Sequence, residues 1–489
     1  MHFPPVPFDW VAVAPVAVLS VGAVGVLLLD AWSKSRNLLI TAGSAALVLV
    51  AALAWMICPL AAHATAGDAR SFTGMLVVDG MGVFVTSVCI LAALGTIAMA
   101  PAYLEREGMR AGEVYALVVF AVAGMAVLAM GTDLMVLFLG LEVMSLSIYV
   151  LAGYHRAATG SIEAALKYFL LGAFASAIFL YGITFLYGAA GSVRLDAIAR
   201  AVAGGNPNAM RLAQIGLALL LTGLGFKIAA VPFHLWTPDV YQGAPTPVTA
   251  FMSSAVKAAA FAMAVRILRA GFGQQPALWV PAVAWLSILT MVVGNLAALV
   301  QRDLKRMLAY SSIAHAGYLL AGVASRHPAG TTAVLFYLGT YLAANIGAFA
   351  VLIAIGEIGE RNLTLDDVAG LGRTRPGLAF ALSVCLLSLA GIPPTAGFTA
   401  KFLIFRAALD SGLIGVPVLL ALTSALSLGY YLVVIVKMYM AEPPREYRTS
   451  PATAGVRLVL IASVVSVFGL FLLPSMVQGI AEQAAIPLP

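Results

Sequence analysis

The sequence predicts an all-α polytopic membrane protein with about fourteen transmembrane helices. Three observations carry this reading. Hydrophobic residues make up 62% of the 489-residue chain and charged residues only 10%, against about 25% charged in a soluble domain. Mean hydropathy is +1.00. Apolar runs long enough to cross a bilayer, about 20 residues each, recur along the whole chain.

These runs centre near residues 20, 49, 88, 121, 142, 175, 221, 259, 288, 315, 343, 390, 425 and 465. The first follows an N-terminus without a basic region, so it reads as a retained helix and not a cleaved signal. Connections are short, the longest polar ones lying near 188–211 and 357–377. No stretch has the composition of a soluble domain. The chain reads as one transmembrane domain over 1–489, with helices 1–3 in 10–110, helices 4–8 in 112–270, helices 9–13 in 278–440 and helix 14 in 455–475.

Two helices read as broken. In residues 221–247, Pro232 and Pro238 remove backbone donors. In residues 387–405, Pro393 and Pro394 do the same between Gly391 and Gly397. Irregular backbone at membrane depth is tolerated only where protein or water covers it. Interruptions at matching positions of two halves point to an inverted repeat. Broken helices 7 and 12 therefore pair helices 4–8 with helices 9–13.

The net charge of +6 comes from scattered residues, which gives no nucleic-acid surface. Cys58, Cys89 and Cys385 have neither metal nor disulfide spacing. Loop Lys and Arg set orientation. One face collects Lys34, Arg36, Arg106, Arg110, Arg156, Arg302, Lys305, Arg306, Arg361, Arg373, Arg375, Arg445, Arg448 and Arg457, and the other collects eight arginines. Both termini fall on the poorer face, which places them outside the cytoplasm.

The lysines are distributed unlike the arginines. Lys167, Lys227, Lys257, Lys401 and Lys437 lie inside apolar runs, Lys34 and Lys305 lie in polar connections, and every arginine is in a connection or near a run's end. A lysine in hydrocarbon is costly and persists where it faces a protein interior or a hydrated path. Unlike arginine, it can give up its proton when buried.

Several constellations accompany these lysines. Glu142 sits in mid-run with Ser145 and Tyr149 on its helix face. A lone buried carboxylate is costly, and Lys227 is its natural partner, as a relay pair or a static one. His234 follows Lys227 beyond Pro232, either as a proton relay or as a loop histidine at the break. Lys257 closes a polar stripe, Thr249–Ser253–Lys257. His315 stands among Ser311, Ser312 and Tyr318, and Tyr337, Tyr341 and Asn345 form another stripe. Both groups read as a hydrated path or as ordinary interhelical contacts. Lys401 directly follows the second break. Lys167 and Lys437 lie nearer helix ends, where snorkelling competes. Asp79, Asp133 and Glu163 lie near helix starts and read as structural.

Phosphate loops, dinucleotide fingerprints, haem ligand pairs and iron–sulfur spacings do not occur in the sequence. The residues alone thus describe an intramembrane proton or cation translocator with no redox centre of its own.

Three motifs carry a family resemblance. GFKIAAVPFHLWTPDVYQGAPTPVTAFMSSAVKAAAF at 225–261, DLKRMLAYSSIAHAGYLL at 303–320 and LAGIPPTAGFTAKF at 389–402 resemble the antiporter-like subunits of respiratory complex I, the bacterial proton-pumping NADH:quinone oxidoreductase. Lys257 stands where the L-type member of that family typically has histidine. Lys401 stands where the M-type member and the related D-type antiporter protein typically have glutamate.

The resemblance implies a fourteen-helix core. It makes Glu142 and Lys227 a buried pair, Lys257 the lysine of a central hydrophilic axis, Lys401 the lysine near an exit half-channel, and Lys167 an accessory near the pair. It implies a bacterial inner-membrane location. Partners would be membrane-arm subunits of the A, J, K, M, L and H types and the lipid bilayer. No cofactor is expected in this chain, with FMN, iron–sulfur clusters and quinone held by other subunits. An Mrp-type monovalent cation/proton antiporter subunit and a non-pumping scaffold subunit are the competing readings.

Overall fold

The protein is described by a computed structural model covering residues 8–32, 38–62, 69–109, 112–360, 363–443 and 452–485, with the side chains of 58–62 and of residue 69 left out. Lys34, Arg36, Arg110, Arg361, Arg445, Arg448 and the Cys58 side chain lie outside this description.

Chain order begins with α1 (Trp10–Trp32) and α2 (Leu38–Ala62), then a small antiparallel hairpin of β1 (Ala69–Ser71) and β2 (Leu76–Val78). α3 (Gly80–Arg106), α4 (Glu113–Met130), α5 (Leu134–Ala152) and α6 (Thr159–Ala190) follow. A short amphipathic helix, α7 (Leu195–Ala203), precedes α8 (Pro207–Ile228) and α9 (Trp236–Gly243). Next comes α10 (Thr246–Gly271), which contains two π-helical turns, Met252–Val256 and Ile267–Gly271. α11 (Val280–Leu299), α12 (Leu304–Ala324), α13 (Ala329–Ile355) and the single turn α14 (Leu371–Thr374) lead to the half-helices α15 (Pro376–Ala390) and α16 (Ala396–Asp410). α17 (Gly415–Met440), α18 (Ala454–Leu472) and α19 (Pro474–Ala484) complete the described chain.

Among the described residues, thirteen helices are long and apolar enough to cross a membrane. α15 and α16 together form one further segment broken at its middle, where the sequence placed the run near residue 390. The hairpin, α7 and α19 were not anticipated. Leu195, Ile198 and Val202 bury one face of α7, a short 3–4 spacing lost inside a connection that reads as polar.

Aspartates start several helices. Asp79 accepts from Gly82 N–H at 2.7 Å, Asp133 from Met135 N–H at 2.9 Å, and Asp303 from Arg306 N–H at 2.8 Å. Each supplies an acceptor that the first helical turn lacks.

The two breaks share a local form. A left-handed residue ends the first half in each case, Ala229 (φ 61°) and Gly391 (φ 83°), and a proline, Pro232 or Pro394, follows three positions on. Pro238 sits in the first turn of α9, a position that tolerates it, so it does not interrupt that helix.

Burial is uneven. α10, α12 and α13 are almost wholly enclosed, whereas α1, α2, α6, α17 and α18 leave most of their apolar surface uncovered by the chain. The polar stripes read from the sequence lie on the enclosed helices. The described chain ends share one face: Asp9 N–H donates to Ser71 Oγ at 3.0 Å, and Ala484 of α19 packs against Gly80.

Glycines set the closest helix approach. A Cβ on Gly182 of α6 would lie 2.9 Å from Gly216 O and 3.0 Å from Leu220 N on α8. Close backbone contact of this kind is how membrane helices gain packing energy. Gly182→Val is therefore expected to cost about 1–3 kcal/mol by overpacking and to lower the melting temperature of the detergent-solubilised protein. Gly188→Ala on the same helix, whose added Cβ would meet only Leu212 at 3.7 Å, should leave it unchanged.

Candidate functional site

The first broken helix presents Lys227. α8 ends at Ile228, and its last-turn carbonyl at Phe226 accepts from Ala229 N–H and from Trp236 Nε1 of α9 at 3.0 Å. Lys227 is buried. Its Nζ donates to Ser145 Oγ at 2.8 Å and to Tyr168 OH at 3.3 Å, and it lies 5.5 and 5.0 Å from the ring centroids of Tyr149 and Tyr168.

Glu142 lies one turn before Ser145 on α5, as the spacing predicts. Glu142 and Lys227 do not form the direct ion pair expected from the sequence. The Glu142 carboxylate accepts instead from Ser176 Oγ of α6 at 2.5 Å. It remains close enough to act electrostatically on Lys227. A cavity of about one water's size is lined by both Ser176 and Lys227, together with Tyr149, Gly172 and Gly223. Acid and base are thus joined through hydroxyls and a small void.

From Lys227 the path runs through aromatic residues. Tyr168 stacks on Trp236 at 4.4 Å, and Trp236 meets Tyr241 edge-on at 6.1 Å. The Tyr241 hydroxyl lies against Ser312. Ser312 is also the partner of Lys257, whose Nζ donates to both the Ser312 carbonyl and its Oγ. Lys257 opens the second α-helical stretch of α10 just after a π turn, a local irregularity that often marks functional positions.

His315 stands between two lysines. Its Nδ1 meets Tyr337 OH at 2.5 Å and its Nε2 meets Tyr431 OH at 3.3 Å. Tyr431 OH also bonds Ser311 Oγ. Both Lys257 and Lys401 act on the His315 ring electrostatically. Asn345 donates to Ser253 Oγ at 2.5 Å, so the two sequence stripes meet across α10 and α13.

The second broken helix places Lys401. Its Nζ donates to the freed carbonyl of Ala390 at 2.8 Å and to Ser424 Oγ at 2.9 Å, with the Tyr318 ring centroid 4.8 Å away. Tyr318 OH is held by Asn295 Nδ2 at 2.9 Å, and Asn295 Oδ1 accepts from Tyr430 OH at 3.1 Å. The break therefore supplies the lysine's acceptor.

Among the described residues, neither Lys257 nor Lys401 makes an ion pair. Their partners are hydroxyls, carbonyls and ring faces. Such partners accept from an ammonium without fixing its charge, so a proton can leave without breaking an ion pair. Serine, tyrosine and histidine each donate and accept, so each can take either role toward a lysine.

Three expectations change. Lys167 is 40% exposed on its side chain and pairs with Glu163 at 2.7 Å and Asp239 at 2.9 Å, with Arg306 closing the group on Asp239 at 2.8 Å. It lies outside the buried line because its end of α6 reaches the membrane face. Glu163 belongs to this network and is not merely a helix-start residue. Lys305, read as part of a polar connection, lies in the first turn of α12, 1% exposed and paired with Glu360.

His234 is buried in the loop between α8 and α9 with its ring against the Pro232 backbone. Its Nδ1 has no hydrogen-bond partner among the described residues, so it stands apart from the lysine line. Lys437 pairs with Asp366 at a helix end, as its position suggests. Tyr168, Tyr241, Asn295, Ser424 and Tyr431 belong to the site but were not singled out. Each is an uncharged polar residue within a helix, a pattern that ordinary packing also produces.

A bundle of broken and unbroken helices enclosing a row of lysines defines an antiporter-type membrane protein. The protein-family profile described as NADH:quinone oxidoreductase/Mrp antiporter, TM, matches residues 131–427. A Trichlorobacter lovleyi protein named NADH-quinone oxidoreductase subunit N is 48% identical over 416 residues, 85% of each chain. A chain of respiratory complex I from Thermus thermophilus is 40% identical with a TM-score of 0.80, over 95% of this chain and 98% of that one. A chain of the Mrp complex from Dietzia shares the fold, with a TM-score of 0.84 at 24% identity over 96% of each. The chain belongs to the NADH:quinone oxidoreductase/Mrp antiporter membrane family, and within it to the subunit N family of NADH-quinone oxidoreductase.

Gly391 tests the geometry around Lys401. A Cβ there would fall 2.8 Å from Lys401 Cδ at a φ of +83°. Gly391→Ala combines that clash with about 1–2 kcal/mol of left-handed strain. It should strongly reduce proton transport in vesicles while the protein still assembles. Gly377→Ala, whose added Cβ would meet nothing within 4 Å, should transport normally.

Proposed function

We propose that this chain is the subunit N of a bacterial NADH:quinone oxidoreductase and that it moves protons along Lys227, Lys257 and Lys401. The observation that carries this reading is the row of three buried lysines, each held by hydroxyls, carbonyls or aromatic rings, with His315 close enough to act electrostatically with both Lys257 and Lys401. NADH oxidation and quinone reduction take place in other subunits, which hold the FMN, iron–sulfur clusters and quinone. The chain itself holds no redox centre. Its neighbours are membrane-arm subunits of the A, J, K, M, L and H types.

The relay is electrostatic. A change in charge or hydration near Glu142 alters the proton affinity of Lys227, and the change passes to Lys257 and then to Lys401. Two unit charges ~6 Å apart at an effective dielectric of about 20 interact by roughly 3 kcal/mol, about two pKa units. That is enough to switch a poised lysine. His315 is the element between the second and third lysines. Lys167 and His234 serve at most as accessories.

Helices 4–8 (112–270) and 9–13 (278–440) form two inverted repeats, a reading supported by the matched left-handed residue and proline at their breaks. The protein sits in the bacterial inner membrane. The face rich in Lys and Arg is cytoplasmic and both termini are periplasmic. The Mrp-type antiporter shares the fold, but Lys401 stands where its D-type protein typically carries glutamate. A scaffold role gains little from lysines buried without carboxylates.

Two substitutions test the reading. Lys401→Arg keeps the charge but cannot release a proton near neutral pH, and Lys401→Ala removes both. Each should abolish most pumping by an assembled complex, read with a pH-sensitive dye in vesicles. Normal pumping by Lys401→Arg would leave Lys401 a fixed charge.

Glu142→Ala should likewise assemble and lose most pumping, with Glu142→Asp retaining part of it. Full pumping by Glu142→Ala would remove the carboxylate from the relay and favour the scaffold reading.

A further inference from the structure

A second buried acid–lysine pair lies on the face opposite the chain ends. Lys305 Nζ bonds Glu360 and donates to Ala244 O at 2.7 Å, a carbonyl just before α10 begins. The Glu360 carboxylate accepts from Thr246 twice, from its backbone N–H and from its hydroxyl, each at 2.7 Å. It also meets the Tyr103 hydroxyl of α3. Separate segments of the chain thus converge on this one carboxylate.

Thr246 is the first residue of α10, the helix that carries Lys257. The residue before it, Pro245, gives that helix no capping side chain. A helix start leaves backbone N–H groups without acceptors. Glu360 supplies one from another part of the chain. The backbone commits it to that task. Glu360 has a φ of 55° and Gly359 a φ of 75°, a conformation that a residue with a Cβ keeps only when its surroundings impose it. Gly359 N–H donates to Glu107 at 2.8 Å, and Arg106 Nη1 holds the carbonyls of Ile353 and Gly356 at 2.7 Å each.

The same clamp fixes a second helix. Lys305 lies on α12 two turns before Ser312, on the same face. Ser312 is the partner of Lys257. The joint at the membrane face thus sets how α10 and α12 stand relative to each other where Lys257 meets Ser312.

We propose that Glu360, held by Lys305, is a positioning residue for Lys257, keeping the Lys257 helix docked on the Ser312 helix through Thr246. The inference rests on the reading of Lys257 as a relay lysine. The groups acting on Glu360 are Lys305, Thr246 and Tyr103, and Tyr103 in turn faces Glu107 and Arg106. Burial would raise the Glu360 carboxyl, but the Lys305 ammonium and the bonds from Thr246 and Tyr103 outweigh it and hold the group below the usual carboxylate range. Its stabilising effect is full at neutral pH and is lost only as pH falls through that lowered value. The clamp is permanent during pumping and is not itself a proton switch.

The test uses the intact complex in membranes. Deuterium uptake is read for peptides covering residues 244–252, and proton pumping is followed across pH. Glu360→Ala should raise uptake there roughly fivefold, the size of a lost helix cap, and shift the pH of half-maximal pumping. Glu360→Asp should restore both in part. Should Glu360→Ala not assemble, Glu360→Asp provides the same readout at smaller amplitude. Unchanged uptake in the assembled variant overturns the proposal. Lys257→Ala separates the two readings. If it pumps normally, the relay role of Lys257 fails. If it is impaired while Glu360→Ala opens the helix and pumps as wild type at every pH, the positioning role is rejected.

Discussion

Every polar group placed in a bilayer must find its partner within the protein, and in this chain the second helix break meets that demand for Lys401. The carbonyl freed at Ala390 accepts from Lys401 and from Ser424. At the first break the Phe226 carbonyl accepts from Trp236, and Trp236 in turn supports the Tyr168 ring beside Lys227. A continuous helix would have used the Ala390 carbonyl for its own ladder and left Lys401 no such acceptor at that depth. At the second break the costly backbone interruption and the costly buried ammonium therefore solve each other.

The enclosure of α10, α12 and α13 follows from the same constraint. These helices carry Lys257, Ser311, Ser312, His315, Tyr337, Tyr341 and Asn345, so they cannot face lipid. The outer helices α1, α2, α6, α17 and α18 bring apolar surface and shield them. The lysine partners inside are almost all neutral. A buried ion pair would hold each charge in place, and breaking one is strongly unfavourable. Hydroxyl, carbonyl and ring partners impose no such pair. Where the protein does use full ion pairs, as in Arg266–Asp79 and Lys305–Glu360, they lie near the membrane faces and join segments.

Much of the site was legible in the chain because the penalty for charge in hydrocarbon is so large. Glu142, Lys227, Lys257 and Lys401 stand out against apolar neighbours, and the Gly and Pro clusters announce both breaks. Other parts were hidden for identifiable reasons. Lys305 reads as a loop residue because Asp303 and Arg306 flank it, yet its side chain turns inward to Glu360, 55 positions away. Lys167 lies in an apolar run near a helix end, where burial and snorkelling compete, and what decides for the surface are carboxylates from Glu163 and from Asp239 on another helix. Tyrosine and serine contacts such as Tyr431–Ser311 carry no signal of their own, since a single hydroxyl in an apolar helix costs little.

The sequence by itself determined the membrane class, the helix count, the two interruptions and the lysines worth their burial cost. Each of these follows from local composition, which the bilayer reads one segment at a time. Only the tertiary structure decided which groups meet: that Ser176 and not Lys227 bonds Glu142, that Ser312 serves Lys257, that His315 lies between two lysines, and that Glu360 caps a helix far from it in the chain. Those contacts join residues on different helices. They depend on how the helices rotate and cross, and the close approach of Gly182 to Gly216 helps to set that geometry.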